Sequence, residues 1–275
     1  MHYILKLLSI IYDIITSFRN LLFDYHILKS KSYNIPIICI GNIEVGGTGK
    51  TPHVQYLINL LESKYSIAIL SRGYGRKTST TQYVKSTDSA DLVGDEPLQI
   101  KRENPDCLVV VENNRNKGVK EIIKNNSNIE VIILDDGYQH RWINAGLKII
   151  LTDYSNPYYE SHLMPFGNLR ENKREVQRAN FVIFTKTPKD SNPTQKKGMV
   201  KKLNLYAHQK YFFSSIKYND WKCLNTSIPF KTNNKYSITL ITGIANPTHL
   251  INYLKEGNHK INHIKYPDHY NYKIN

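Results

Sequence analysis

Apolar residues fall along this chain in short runs separated by longer polar stretches, and the first segment stands apart from the rest. In residues 1–23, Ile4, Leu8, Ile11, Ile15, Phe18 and Leu22 recur every three or four positions, while Lys6, Ser9, Asp13, Thr16 and Asn20 take the other side. That spacing predicts an amphipathic helix. Tyr3, Leu5, Leu7, Tyr12 and Ile14 widen its apolar face. The longest charge-free stretches, 7–12 and 14–18, fall short of the about 20 apolar residues a spanning helix needs. Asp13 interrupts any signal-peptide core, and no small-residue cleavage site follows. The helix either lies on a membrane surface or packs its stripe on its own domain. The breadth of the apolar face favours the membrane.

Further on, residues 35–40 (IPIICI), 66–70, 107–111, 130–134, 147–151 and 181–184 read as strands. Their Val/Ile/Leu content is continuous rather than alternating, as in strands covered on both faces. Residues 41–49 read as a loop, and 50–63 as a helix with Val54, Leu57, Ile58 and Leu61 on one side. Strand–helix alternation predicts an α/β fold with a mostly parallel sheet flanked by helices. The stretch 187–202 (TPKDSNPTQKKGMVKK) shows no core pattern and reads as a connector. Strands at 211–218, 237–241 and 261–266, with a helix at 247–256, predict a smaller second α/β unit. The expected organisation is a membrane-associated helix (1–28), a core domain (29–200) and a smaller C-terminal domain (205–275).

Composition narrows the class. With 275 residues, 40% hydrophobic and 22% charged, the chain is neither a disordered tail, a collagen nor a disulfide miniprotein. A formal net charge of +14 favours an anionic partner: nucleic acid, acidic lipid or a phosphorylated substrate. Cys39, Cys107 and Cys223 lack the spacing of a zinc site or disulfide framework, which fits a reducing cytosol. No basic–aromatic module points to nucleic acid as the partner.

The main chemical signal is GNIEVGGTGKT, residues 41–51, set between a predicted strand and a predicted helix. Glycines permit the positive φ values that aim successive N–H groups at phosphate oxygens, and the helix N-terminus adds its dipole. Gly46, Gly47, Thr48 and Gly49 would form the cradle, Lys50 would reach the β/γ phosphates of ATP, and Thr51 would ligate Mg²⁺. The strict GxxxxGK[ST] pattern fails at Glu44, and the GGTGKT core resembles the loop of MinD-like proteins, although Val45 stands where their signature lysine would be. Residues 131–136 (VIILDD) supply a matching metal signal, with Asp135 and Asp136 after an apolar strand. Gln139 and His140 follow, either over the nucleotide or in a solvated loop. SRGYGR (71–76) places Arg72 and Arg76 on a turn suited to phosphate contacts. GDEP (94–97) sets Asp95 and Glu96 before a helix predicted over 98–103, where Asp95 either accepts a proton from an attacking hydroxyl or serves as an acidic first-turn residue.

Taken together, VGGTGKTP (45–52), SRGYGR, GDEP, LDDGYQH (134–140), PFGNLRE (165–171) and YPDH (266–269) resemble the tetraacyldisaccharide 4'-kinase (lipid A 4'-kinase) family. The resemblance runs over nearly the whole chain. It implies transfer of the γ-phosphoryl of ATP, with Mg²⁺, to the 4'-hydroxyl of an acylated glucosamine disaccharide 1-phosphate, at the cytoplasmic face of the bacterial inner membrane. It implies catalytic roles for Asp95, paired with His269, and for Lys50. It places Glu96 with Thr51, Asp135 and Asp136 at the metal, and Arg72, Arg115, Gln139, His140 and Glu171 toward the substrate. Asn114 and Asn172 depart from the family pattern, which more often has Asp before the arginine and Pro after the glutamate. Members also commonly continue for some tens of residues past the PDH motif, so a fragment or a short small domain is expected here. Two alternatives share part of the pattern. A membrane-recruited MinD-like ATPase switch leaves GDEP and PDH unexplained. A GTPase would need an Asp where Thr185-Lys186-Thr187-Pro188 offers Pro188.

Overall fold

The computed structural model describes residues 2–219, 221, 234–244, 246–267 and 270. Two compact units divide at Ser214/Ser215. The first opens with helix α1 (His2–Asp24) and is built on an eight-stranded sheet. Its strands are β1 (Ile37–Gly41), β2 (Ile67–Ser71), β3 (Gln82–Tyr83), β4 (Leu108–Val111), β5 (Val131–Asp135), β6 (Leu147–Asp153), β7 (Phe181–Thr185) and β8 (Lys210–Phe213). Their spatial order is β3-β4-β2-β5-β1-β6-β7-β8, and every neighbouring pair is parallel except β3 with β4. The expected mostly parallel α/β sheet is present.

The continuous apolar runs are explained by burial on both faces. Alternate residues of each strand feed two separate cores. Cys39, Ala68, Leu70, Ile132 and Leu134 join one, and Ile40, Ile67, Ile69 and Ile133 join the other. Helix α2 (Lys50–Leu61) covers the second core with Val54 and Ile58, as its stripe predicts. Helix α3 (Ala90–Val93) and helix α4 (Asp95–Glu103) add Val93, Leu98 and Ile100 to the same side. Helix α5 (Arg115–Asn125) lays Val119 and Ile122 on the opposite face.

Two expectations change. Residues 187–202 are not a bare connector, because helix α6 (Pro193–Leu203) occupies most of them. Asn192 caps it by accepting from the Thr194 amide at 2.8 Å, and Pro193 sits in its first turn, where a missing N–H costs nothing. Its buried face is only Met199 and Leu203, too thin a stripe to register as periodicity. Strand β8, expected in the second unit, pairs instead with β7, so the first unit extends past 200–205 to Ser214. The second unit carries parallel strands β9 (Ser237–Thr242) and β10 (Lys260–Lys265) around helix α7 (Thr248–Glu256), all close to their predicted positions.

Polarity along α1 is inverted relative to a core-packing helix. Its buried residues are Ser9, Asn20 and Phe23, whereas Ile4, Ile15 and Phe18 are 63%, 63% and 60% exposed. The stripe therefore does not pack on its own domain. Among the described residues no helix is long and apolar enough to cross a membrane.

Two turns meet backbone to backbone at the edge where β2 and β4 end. Gly94 has φ 91° and ψ 151°, a region open essentially to glycine. A Cβ there would lie 3.0 Å from Gly73 Cα, and one on Gly73 would lie 2.6 Å from the Val93 carbonyl oxygen. The SRGYGR and GDEP turns are thus locked together by the absence of side chains. Gly94→Ala is expected to destabilise the fold by roughly 1–3 kcal/mol, measured as a lower urea midpoint.

A second test concerns Glu44, a buried residue of the 41–51 loop that accepts a hydrogen bond from Thr152 Oγ1 at 3.2 Å. Burial, with Asp153 adding to it, pushes its carboxyl up to about 7. A folded pKa above the unfolded 4.5 means that the folded state holds the proton more tightly. Stability contributed by Glu44 is then present below pH 4.5 and lost as pH rises through 7. Glu44→Gln should raise Tm more at pH 8 than at pH 5, and equal shifts at the two pH values would contradict this.

Candidate active site

Parallel strands bring their C-terminal ends to one edge, and in open α/β sheets that edge binds ligands. Here the ends of β1, β2, β4 and β5 carry, in turn, the phosphate loop, SRGYGR, the turn before α5, and Asp135-Asp136. The phosphate loop runs from the end of β1 to the first turn of α2. Gly46 and Gly49 take φ 118° and 84°, the left-handed region that lets successive amides turn inward. Asn42, wholly buried, braces the loop by donating to Thr48 Oγ1 at 2.9 Å. Lys50 Nζ lies 3.4 Å from Asn42 Oδ1 and 3.7 Å from Asp136 Oδ1. Thr51 occupies the next position of α2.

The two aspartates at the end of β5 differ sharply. Asp135 is buried, accepts a hydrogen bond from Ser71 Oγ at 3.0 Å through Oδ2, and leaves Oδ1 without a partner. Burial, with the negative charges of Glu96 and Asp136 adding to it, pushes its carboxyl up to about 6. Asp136 is half-exposed at φ 47° and receives Arg170 Nη1 at 3.2 and 3.0 Å on its two oxygens. An orphaned carboxylate oxygen beside two further acidic groups suits a divalent cation. Mg²⁺ needs only one or two protein carboxylates when phosphates and water complete its shell. Among the described residues no trio of His, Cys, Asp and Glu is close enough to enclose a metal by itself.

Asp95 and Glu96 form the first turn of α4, which begins earlier than the predicted 98. Asp95 Oδ1 accepts from the Glu96 amide at 2.9 Å, the first-turn geometry that the spacing also allowed. Gly94 packs against Gly73, two residues after the Ser71 that holds Asp135, so the GDEP turn lies beside the end of β5.

The remaining expected site residues divide into exposed and buried groups. Arg72 is exposed on its turn. Arg115 is buried, with Nη1 donating to the Glu112 carbonyl at 2.8 Å and Nη2 to the Asp135 carbonyl at 3.4 Å. Burial draws its pKa down to about 10. Gln139 donates to the Asn42 carbonyl at 2.8 Å. His140, held down to about 4 by burial and by Arg115, Arg19 and Arg72, is neutral at physiological pH, and its buried Nε2 has no partner. Glu171 is fully buried and receives Arg19 (3.0 Å), Asn20 (3.1 Å), Arg178 (2.8 Å) and Gln139 (3.4 Å). It is a support inside the site wall, not a group open to a ligand. His269 and Cys223 lie outside the described residues.

Sequence reasoning passed over three contributors: Asn42, which braces the loop, Ser71, which holds Asp135, and Arg170, which holds Asp136. Arg170 lay inside the quoted PFGNLRE motif, so its position carried the signal. Asn42 and Ser71 likewise lay inside the quoted GNIEVGGTGKT and SRGYGR motifs, but nothing in their spacing says that they brace Thr48 and Asp135.

The family model for tetraacyldisaccharide-1-P 4'-kinase matches residues 1–275. A tetraacyldisaccharide 4'-kinase of Flavobacterium johnsoniae is 41% identical over 270 residues, covering 96% of this chain and 77% of the relative. One from Bacteroides fragilis is 42% identical over 274 residues, covering 96% and 72%. Among solved structures, LpxK from Aquifex aeolicus, crystallised in complex with ATP, is similar with a TM-score of 0.77 and 31% identity, covering 98% of this chain and 82% of that one. With this phosphate loop, this aspartate pair and matches of that extent, the chain belongs to the tetraacyldisaccharide-1-P 4'-kinase family.

Proposed function

We propose that the protein transfers the γ-phosphoryl group of ATP to the 4'-hydroxyl of a tetraacyldisaccharide 1-phosphate, a step of lipid A synthesis. The observation that carries this reading is the convergence of three loops at one sheet edge: a glycine-shaped anion cradle ending in Lys50, the Asp135–Asp136 pair, and the GDEP turn packed on the Ser71–Gly73 turn that holds Asp135. A nucleotide switch needs the first two but not the third. That, with the family relationship, disfavours the MinD-like alternative.

The chemistry follows from the placement of the groups. Loop amides and Lys50 hold the β/γ phosphates and offset the charge that develops on the transferred group. Thr51, Asp135, Asp136 and Glu96 are the residues that would hold Mg²⁺, which when bound neutralises phosphate charge and orients the triphosphate. Asp95, at the rim, accepts the proton of the attacking sugar hydroxyl as its oxygen–phosphorus bond forms and the bond from the γ-phosphorus to the bridging oxygen breaks, releasing ADP. The family resemblance gives His269 of the PDH motif a part in this step, and that residue lies outside the described ones. Arg72 is free to swing toward the anionic acceptor, whereas Arg115 acts from beneath by fixing the end of β5. His140, kept neutral by burial and by Arg115, Arg19 and Arg72, stands near these groups without adding charge.

The acceptor carries acyl chains, and α1 offers the surface on which to meet them. Its outward Ile4, Leu7, Ile11, Ile15 and Phe18 form an exposed apolar band on a chain of net charge +14. We read α1 as lying in the membrane interface, at the cytoplasmic face of the inner membrane.

An assay with ATP, Mg²⁺ and detergent-dispersed tetraacyldisaccharide 1-phosphate tests the reaction, with the 4'-phosphorylated product resolved chromatographically. Asp95→Ala should lower kcat by about 10²- to 10⁴-fold with little change in the KM for ATP. Lys50→Ala should lower kcat/KM for ATP by about 10²-fold or more. Near-normal turnover by Asp95→Ala removes it as the base. ATP turnover indifferent to the disaccharide would overturn the kinase reading. In a separate flotation measurement with anionic phospholipid vesicles, Ile11→Ser combined with Ile15→Ser should leave most of the protein at the bottom of the gradient.

A further inference from the structure

The inward face of α1 is polar, and among the described residues the long-range hydrogen bonds made by the side chains of residues 9–20 land on one segment, 163–172, while Arg141 separately donates to the Asn20 carbonyl at 2.9 Å. Ser9 Oγ donates to the Leu163 carbonyl at 2.8 Å, and Tyr12 Oη to the Arg170 carbonyl at 2.8 Å. Asp13 receives Asn172 Nδ2 on both carboxylate oxygens at 3.1 Å. Arg19 and Asn20 donate to Glu171. The other side of the same segment is joined to the phosphate loop. The Val45 amide donates to the Asn168 carbonyl at 2.8 Å, the Arg170 amide to the Ile43 carbonyl at 2.7 Å, and Glu44 and Leu169 form an antiparallel bridge. Arg170 then reaches Asp136, which in turn lies beside Lys50.

Segment 163–172 is therefore clamped between α1 and the phosphoryl-transfer groups. Its weak point is Glu171. A carboxylate entirely out of water is costly to bury unless donors surround it. Two of the four residues that donate to it, Arg19 and Asn20, come from α1. Releasing them leaves an under-compensated buried charge one residue away from the arginine that holds Asp136.

We propose that Asn20 and Asp13 of α1 are positioning residues for phosphoryl transfer: through Glu171 and Asn172 they set Arg170 against Asp136, so the helix that presents the apolar face to lipid also holds the nucleotide site in shape. The proposal rests on the reading of Lys50 and Asp136 given above. It departs from a plain anchor, whose loss would affect only access to the acylated acceptor.

The decisive measurement is the affinity of the full chain for ATP·Mg²⁺ with neither lipid nor detergent present, read by calorimetry. Asn20→Ala and Asp13→Ala should each weaken binding about 2- to 30-fold, the range found for coupled packed sites. Asp13→Asn keeps an oxygen for the Asn172 amide and should restore most of the affinity, whereas Asp13→Leu, of similar bulk but with no acceptor, should not. The outward pair Ile11→Ser with Ile15→Ser should bind ATP·Mg²⁺ as the unaltered chain does while losing vesicle binding. If Asn20→Ala fails to fold, the contrast between Asp13→Ala and Asp13→Asn decides alone. Unchanged ATP·Mg²⁺ affinity in the folded inward variants overturns the proposal. If Lys50→Ala abolishes binding in that same series, the phosphate-loop reading survives and only the coupling is lost.

Discussion

A parallel strand that ends in a glycine turn leaves backbone N–H groups without carbonyl partners, and the rest of this molecule is arranged around that condition. Gly46 and Gly49 bend the chain through the left-handed region just ahead of α2, so the amides and the helix dipole share one focus. The loop is not left to hold itself. Asn42 ties it from below, and residues 168–170 pair with it from the side. An anion cradle costs binding energy if it must be ordered at the moment of use, and these braces supply the order in advance.

Around the cradle, charged groups fall into two populations set by access to water. Arg115, Asp135 and Glu171 are buried and held in place by hydrogen bonds from or to their neighbours, with the half-buried Arg178 among them. Arg72, Asp95 and Asp136 stand nearer the solvent, where an incoming phosphate or sugar can reach them. Burial makes Arg115 and Glu171 supporting structure, Asp135 keeps one buried oxygen unpaired for a cation, and exposure leaves the second group available for chemistry. The same rule explains His140: burial and three neighbouring guanidinium groups keep it neutral, which suits hydrogen bonding rather than charge pairing.

Most of the strand plan was legible because strands buried on both faces must be continuously apolar, and six such runs carried β1, β2, β4, β5, β6 and β7. Helix α6 was illegible for the opposite reason, since two buried residues in eleven make no period. The break between units was misplaced with it. A four-residue edge strand such as β8, with Lys210, Tyr211 and Phe212 exposed, looks the same whichever sheet it joins. The site motifs were readable one by one because phosphate cradles and metal ligands demand particular residue types at strand ends. Their braces were not, since Asn42 and Ser71 are ordinary polar residues whose value lies only in what they touch.

Local order along the chain by itself determined the sheet class, the phosphate loop, the aspartate pair and the amphipathic α1, because each depends on spacing within a few residues. Tertiary structure decided which face of α1 is buried, that Glu171 supports rather than contacts, and that Arg170 reaches Asp136. Those are matters of burial and of pairing between residues some 30 to 160 positions apart. Electrostatic compensation is settled by neighbours in space, and spacing along the sequence carries no record of it.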